Sequence, residues 1–142
     1  MSLPAQTGGP TVTDVMAVAD FRAALRRFMR QSERIARQSG LTPQRYILLL
    51  MIKGSPGGHE QSTVTELSER LQLAQSTVTE LVRRAEEAGL VEREQSQQDA
   101  RVAHLRLTAE GDSRLMRSFT ELAKERDQVR DAFSHLEGGV TG

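Results

Sequence analysis

Apolar residues recur at helical spacing along most of this chain, and only one short interval alternates instead. Val18, Phe21, Leu25, Phe28 and Ile35 follow one another at steps of three and four, with Ser32 filling the single gap. The pattern predicts a long helix from Thr13 or Asp14 to about Gln38, ending before Gly40, with a seam suited either to a second helix or to a core. Thr42-Pro43 supplies a capping hydroxyl followed by proline at the first helical position. The helix it opens, Tyr46 to Ile52, is apolar nearly all round and is expected to be buried. Gly54-Ser55-Pro56-Gly57-Gly58 breaks it and predicts a flexible loop.

Thr63-x-x-Glu66 is a capping box for a third helix with Val64, Leu67 and Leu71 on one face, and Gln72-Leu73-Ala74 then forms a tight turn. A fourth helix buries Val78, Leu81, Val82 and Ala85 and closes at Gly89, a residue that tolerates the left-handed conformation. The alternating interval follows. Leu90 to Glu94 predicts a strand, Gln95 to Ala100 a turn, and Arg101 to Leu107 the returning strand, with Val102, His104 and Arg106 opposed to Ala103, Leu105 and Leu107. Thr108 caps a last helix that contains no glycine or proline from Asp112 to Glu137 and carries Leu115, Phe119, Leu122, Val129, Phe133 and Leu136 as a seam interrupted at Arg126. Two long helices with adhesive seams at opposite ends of a small chain are most economically satisfied in a homodimer.

The expected fold is mainly α with a small β-hairpin wing, a winged helix-turn-helix dimerising through its N- and C-terminal helices. In residue terms, 1–12 is a disordered arm. Residues 13–142 form a single domain, with 13–38 and 109–137 as dimerisation helices and 42–107 as the winged helix-turn-helix. The 142 residues suffice for one domain with a real core. No apolar run approaches the length needed to cross a bilayer and no charged-then-apolar leader opens the chain, so the expected location is cytoplasmic.

Charge complicates this picture. The total is zero, but residues 1–58 hold eight basic against three acidic side chains, residues 59–106 six against nine, and residues 107–142 five against seven. The first helix is the basic one, whereas the region of the fourth helix and hairpin is mildly acidic, which weakens any sequence-independent affinity for nucleic acid there.

Catalysis and metal chemistry find no footing. With no cysteine, disulfides, thiolate zinc and thiol redox sensing are excluded. His59, His104 and His135 are scattered, and Thr63 stands where a zinc-protease motif starting at His59-Glu60 needs its second histidine. The glycine-rich segment after Lys53 is not followed by the Gly-Lys-Ser/Thr of a phosphate loop. No nucleophile–base set is present, so the chain is expected to be neither an enzyme nor a cofactor or metal binder.

A helix that can enter a groove, next to a hairpin tipped by an arginine, points to DNA. In order and spacing, Thr63, Ser76-Thr77-Val78-Thr79, Gly89-Leu90-Val91-Glu92-Arg93, Asp99-x-Arg101 and Leu107-Thr108-x-x-Gly111 resemble the multiple-antibiotic-resistance regulator (MarR) family of bacterial transcription factors, over roughly residues 14–130. The resemblance implies a winged-helix homodimer bound to a pseudo-palindromic operator in double-stranded DNA, usually a repressor released by a small molecule. It assigns Ser76, Thr77, Thr79, Glu80 and Arg83 to the outward face of the recognition helix, where hydroxyls and a guanidinium suit phosphates and base edges. It assigns Arg101 to the minor groove and Asp99 to holding that arginine. The alternative for the last two is a staple that only closes the hairpin.

The chain also departs from the family pattern. Gln72, Ala74 and Gln75 replace the usual glycine, serine and proline around the turn, and Ala100 replaces one of two wing arginines. Glu80 puts an acid on the reading face, either to accept from a cytosine amino group or to restrain Arg83, and acids on reading helices more often restrain. A sixth helix is expected to be missing, since only Gly138 to Gly142 remain after the fifth. By location in the family, Phe28, Arg45, Tyr46 and Met116 are candidates for a small aromatic ligand, with plain core as the alternative for Phe28, Tyr46 and Met116. The competing functional class is a winged-helix protein-interaction module without sequence-specific DNA binding, motivated by the acidic reading region.

Overall fold

A computed structural model describes residues 8–141, with side chains as far as residue 136. Residues 1–7 of the expected arm lie outside the described residues. The element order is α1 (Val12–Gln38), α2 (Pro43–Lys53), α3 (Val64–Leu71), α4 (Gln75–Glu87), β1 (Val91–Gln95), β2 (Ala103–Leu107), α5 (Ala109–Glu121) and α6 (Ala123–Thr141). The chain divides into two compact units, one made of the segment up to Ser32 together with the segment from Glu121, the other of Glu33–Thr120.

In the first unit, α1 begins slightly earlier than its apolar pattern predicts because Thr11 and Asp14 cap it reciprocally. The Thr11 N–H donates to the Asp14 carboxylate at 2.8 Å, and the Asp14 N–H to the Thr11 hydroxyl at 3.1 Å. Ala24 is buried, and the Phe21 ring meets Phe133 of α6 with centroids 6.1 Å apart. Such tilted aromatic contacts fix one helix against another beyond their area alone. Val12, Val15, Met16, Val18, Met29 and Phe133 remain exposed.

The expectation of one uninterrupted last helix is not met. α5 ends at Glu121 and α6 starts at Ala123, so a sixth helix is present. Neither glycine nor proline marks the break. It coincides with the loss of the apolar seam, since Leu122 is fully buried whereas Lys124 to Gln128 are polar throughout. Leu122 is consequently an interior residue of this chain and no part of a free seam.

The second unit is organised around α2. The Thr42 hydroxyl accepts from the Arg45 N–H at 3.1 Å and Pro43 opens the helix, as the sequence predicts. Tyr46, Leu48, Leu49 and Ile52 are buried, but Ile47 is 42 % exposed, so the helix is not enclosed on all sides. The segment after it is more ordered than the expected flexible loop. Pro56–Gly58 makes a 3-10 turn with Gly57 at φ 86°, and the buried Ser55 hydroxyl accepts from the Gln61 N–H.

Both arms of the Thr63–Glu66 capping box form, at 2.8 and 3.2 Å, an arrangement that contributes about 1 kcal/mol per cap. α4 buries Val78, Val82 and Ala85, and Gly89 takes φ 74° just beyond its end. β1 and β2 pair antiparallel with Glu92 opposite Arg106 and Arg93 opposite Leu105; the returning strand is shorter than predicted, starting at Ala103. A further bridge joins Ser62 to Leu105, through a Ser62 N–H to Leu105 carbonyl bond of 3.0 Å and the reciprocal bond of 2.8 Å. It links loop and wing at one point, a non-local contact with no signature in the local pattern. Thr108 closes the root of the hairpin, donating to the Gly89 carbonyl at 2.6 Å and capping α5 through the Gly111 N–H. No helix among the described residues is long and apolar enough to cross a membrane.

Candidate nucleic-acid interface

α4 presents its outward residues because its inward ones are committed. Val78, Val82 and Ala85 are inaccessible to solvent, while Ser76, Thr77, Thr79 and Arg83 are exposed and Glu80 is half-buried. Ser76, Glu80 and Arg83 fall on one face, separated by four and three residues. The turn before α4 lacks the usual capping chemistry, as the sequence predicts, since Ala74 at the cap position offers no side-chain acceptor. Other residues hold the turn. Gln72 adopts the left-handed conformation at φ 56° and donates its side-chain amide to the Glu69 carbonyl at 2.6 Å, and the Ser68 hydroxyl donates to the Leu73 carbonyl at 2.6 Å.

The outward face of α4 is tied down by charge. Arg83 donates to both Glu80 carboxylate oxygens, at 2.9 and 2.6 Å, and also pairs with Glu87. Arg84 donates to Glu80 at 3.0 Å. The bidentate Arg83 bond, with Arg84 next, holds the Glu80 carboxyl down to about 2, and the same bond raises Arg83 above the usual guanidinium range. Of the two roles open to Glu80, restraint of Arg83 is thus the one realised in the free protein. Arg84 and Glu87 were missed as members of this cluster, although spacings of three and four among alternating charges on one helix were enough to find them.

At the wing tip, Asp99 accepts from the backbone N–H of Arg101 at 3.0 Å and from its guanidinium at 3.2 Å. These two bonds, the backbone one first, lower the Asp99 carboxyl below its ordinary value. The Arg101 side chain is nonetheless 91 % exposed. Asp99 therefore bonds both the backbone and the side chain of an arginine that stays exposed, a geometry compatible with either expected role. Lower on the wing, Arg106 pairs with Glu92 and Glu94, and Arg93 reaches Glu86 of α4 at 2.9 Å. Beside the root, Lys53 sits between Glu60 and Asp112, the latter at 2.7 Å, and these carboxylates raise the lysine above its ordinary value, Asp112 most.

The four ligand candidates are less unified. Tyr46 is buried in α2, Arg45 half-buried beside it, and Met116 of α5 is 41 % exposed; Phe28 lies half-buried on α1. A cleft of about 400 Å³ lined by Lys53, Glu60, Arg106 and Asp112, and another of about 320 Å³ lined by Ala24, Arg27, Asp131 and His135, include none of them. No cluster of histidine and carboxylate side chains suited to a metal ion occurs among the described residues.

Comparison with known proteins bears on this geometry directly. The MarR family model matches residues 39–102, from the end of α1 to the tip of the wing. An organic hydroperoxide resistance transcriptional regulator from Bacillus subtilis is 30 % identical over 89 residues, which are 63 % of this chain; the chain spans 58 % of that protein's length. Among solved structures, AbsC, a MarR family transcriptional regulator from Streptomyces coelicolor, is 25 % identical with a TM-score of 0.62, covering 92 % of this chain and 84 % of its own. A mutant MarR from E. coli complexed with operator DNA shares the fold at 17 % identity, with a TM-score of 0.66 over 84 % of this chain and 87 % of its own. A capped helix pair, a glycine-closed fourth helix and an arginine-tipped hairpin thus occur together in the segment that is similar to the MarR family, within a fold its neighbours share over most of their length.

Proposed function

We propose that this chain is a sequence-specific DNA-binding transcription regulator that acts as a homodimer on a pseudo-palindromic operator, as a repressor relieved by a small-molecule ligand. What carries the reading is the exposed face of α4, with Ser76, Thr77, Thr79 and Arg83 backed by three buried side chains, beside a wing whose Arg101 projects into solvent. A helix of that kind fits a major groove and an exposed arginine a narrow minor groove. The apolar residues left exposed on α1, Val12, Val15, Met16 and Val18, support a second copy as partner. The E. coli neighbour complexed with operator DNA supports the same reading by its fold. The activity is binding without catalysis, and its place is the cytoplasm, where a bacterial chromosome is accessible.

The name of the hydroperoxide-related homologue does not carry over as a sensing chemistry. This chain has no cysteine, so it has no thiol to be oxidised. A small aromatic ligand remains the proposed effector, with Arg45, Tyr46 and Met116 as candidates in the second unit and Phe28 as a separate candidate in the first.

Selection from a pool of random duplexes tests the function. The expected outcome is enrichment of an inverted repeat whose half-sites lie about one helical turn, roughly 10 base pairs, apart. Recovery of no sequence above background overturns the regulator and leaves the protein-interaction module.

A further inference from the structure

Arginines are distributed over this molecule in two electrostatic conditions. Between α3 and β2, Arg83, Arg84, Arg93, Arg101 and Arg106 each sit on a carboxylate, and Arg70 donates to the Met51 and Gly54 carbonyls. On α1, Arg22, Arg26, Arg27 and Arg30 are exposed, and none makes an ion pair or hydrogen bond with any described residue. Arg22, Arg26 and Arg30 follow at four-residue steps, so each is turned by about 40° and raised by about 6 Å from the last, forming a shallow spiral on one side of the helix. Arg27 stands at its margin, lining the cleft with Asp20 and Asp131. Glu33, three residues beyond Arg30, pairs with none of them.

We propose that this arginine face of α1 is a second, sequence-independent contact surface that binds the phosphate backbone of duplex DNA. The inference rests on the DNA-binding reading and deepens it, by naming where the phosphate-neutralising charge resides. The reading region carries an excess of acid, and its arginines are already partnered, so it is poorly supplied with free cationic charge. Affinity for a duplex depends on such charge, because each neutralised phosphate releases condensed counterions. α1 holds what the winged helix lacks.

Two observations favour phosphates of a duplex over an anionic bilayer. An interfacial helix inserts an apolar side opposite its charges, but the side of α1 opposite these arginines is committed, with Ala24 buried and Phe21 engaged by Phe133. The face is also built from arginine alone, with no lysine anywhere in α1, and the planar guanidinium fork matches a phosphate bidentately. A row of cations about 6 Å apart along a rigid rod can follow consecutive phosphates of one strand.

The test is a salt titration of binding to a random-sequence duplex, comparing the full chain with its Arg22→Gln/Arg26→Gln/Arg30→Gln variant. Glutamine keeps helix propensity, and helicity by circular dichroism checks the fold. The expected result is affinity reduced about tenfold or more, with the slope of log K against log salt shallower by up to about three per subunit. The corresponding triple lysine variant should recover most of that slope. An unchanged slope in the glutamine variant overturns the proposal, as does a wild-type chain with no affinity for random duplex. So does loss of binding to vesicles containing anionic lipid with the duplex slope intact, which assigns the face to a membrane. Measuring preference for a selected operator over random duplex separates this proposal from the functional reading. The glutamine variant should keep that preference ratio, and if no operator can be selected while the slope still falls, the regulator fails and the α1 surface stands.

Discussion

The same side chain does opposite work on α1 and on α4. On α1 the arginines pair with no described residue and are free to meet an anion. On α4, Arg83 and Arg84 are gripped by Glu80, with Glu87 as a further partner, and must exchange carboxylates for phosphate or base edges if they are to bind DNA. Exchange costs much of what the new contact yields, so a paired arginine contributes little to general affinity. It contributes to selectivity instead, because only a site with well-placed acceptors can replace both carboxylate oxygens. The difference teaches that net charge is the wrong quantity to ask about in this chain. Its zero total conceals a region with free charge and another whose charge is spoken for.

Unclasping α4 should erase the contrast. Glu80→Gln together with Glu87→Gln frees Arg83 and Arg84, making α4 resemble α1. Affinity should rise for all duplexes alike, with a salt slope steeper by up to about two per subunit. A change confined to one base pair of each half-site would instead show Glu80 reading a cytosine, an effect of roughly 1–3 kcal/mol.

Arg101 is the intermediate case, paired yet almost wholly exposed. Arg101→Ala should weaken operator binding and reduce the salt slope by about one per subunit, with the melting temperature nearly unchanged. A lower melting temperature with the slope unaltered would make the Asp99–Arg101 contact a staple of the hairpin.

The smallest effect concerns pH. Because its arginine partners hold the Glu80 carboxyl down to about 2, the clasp is complete above the ordinary glutamate value of about 4.3 and is lost only as pH falls through about 2. DNA binding between pH 5 and 8 should therefore show no step from this group, and a carboxylate-detected NMR titration should place its midpoint well below that of a free glutamate. A midpoint near 4 would mean that the clasp is open in solution.

What the sequence disclosed was what local chemistry determines. Thr42-Pro43, the Thr63–Glu66 box and the exit at Gly89 each act over three or four residues, and each is found where its residues predict. The Glu80–Arg83–Arg84–Glu87 cluster was equally local and readable, although only the Glu80–Arg83 part was read. The break at Leu122 was hidden because no glycine or proline marks it, and the Ser62–Leu105 bridge because its partners lie far apart in sequence. Ile47 misled for the opposite reason, since an apolar side chain may face outward without any polar neighbour to announce it. The ligand candidates were chosen by position in a family, and no periodicity in the chain bears on whether they converge.

That Ser62–Leu105 bridge has a metrical consequence. It ties the segment leading into α3 to the strand returning from the wing, while Thr108 locks the same root to Gly89 at the exit of α4. α4 and the arginine-tipped hairpin are thus two arms of a caliper bonded together at its pivot. On the proposed function, a duplex gripped by both arms would be measured as well as read, with the spacing of its groove contacts set by the protein backbone. Inserting one base pair between those contacts leaves every touched base intact and still spoils the fit.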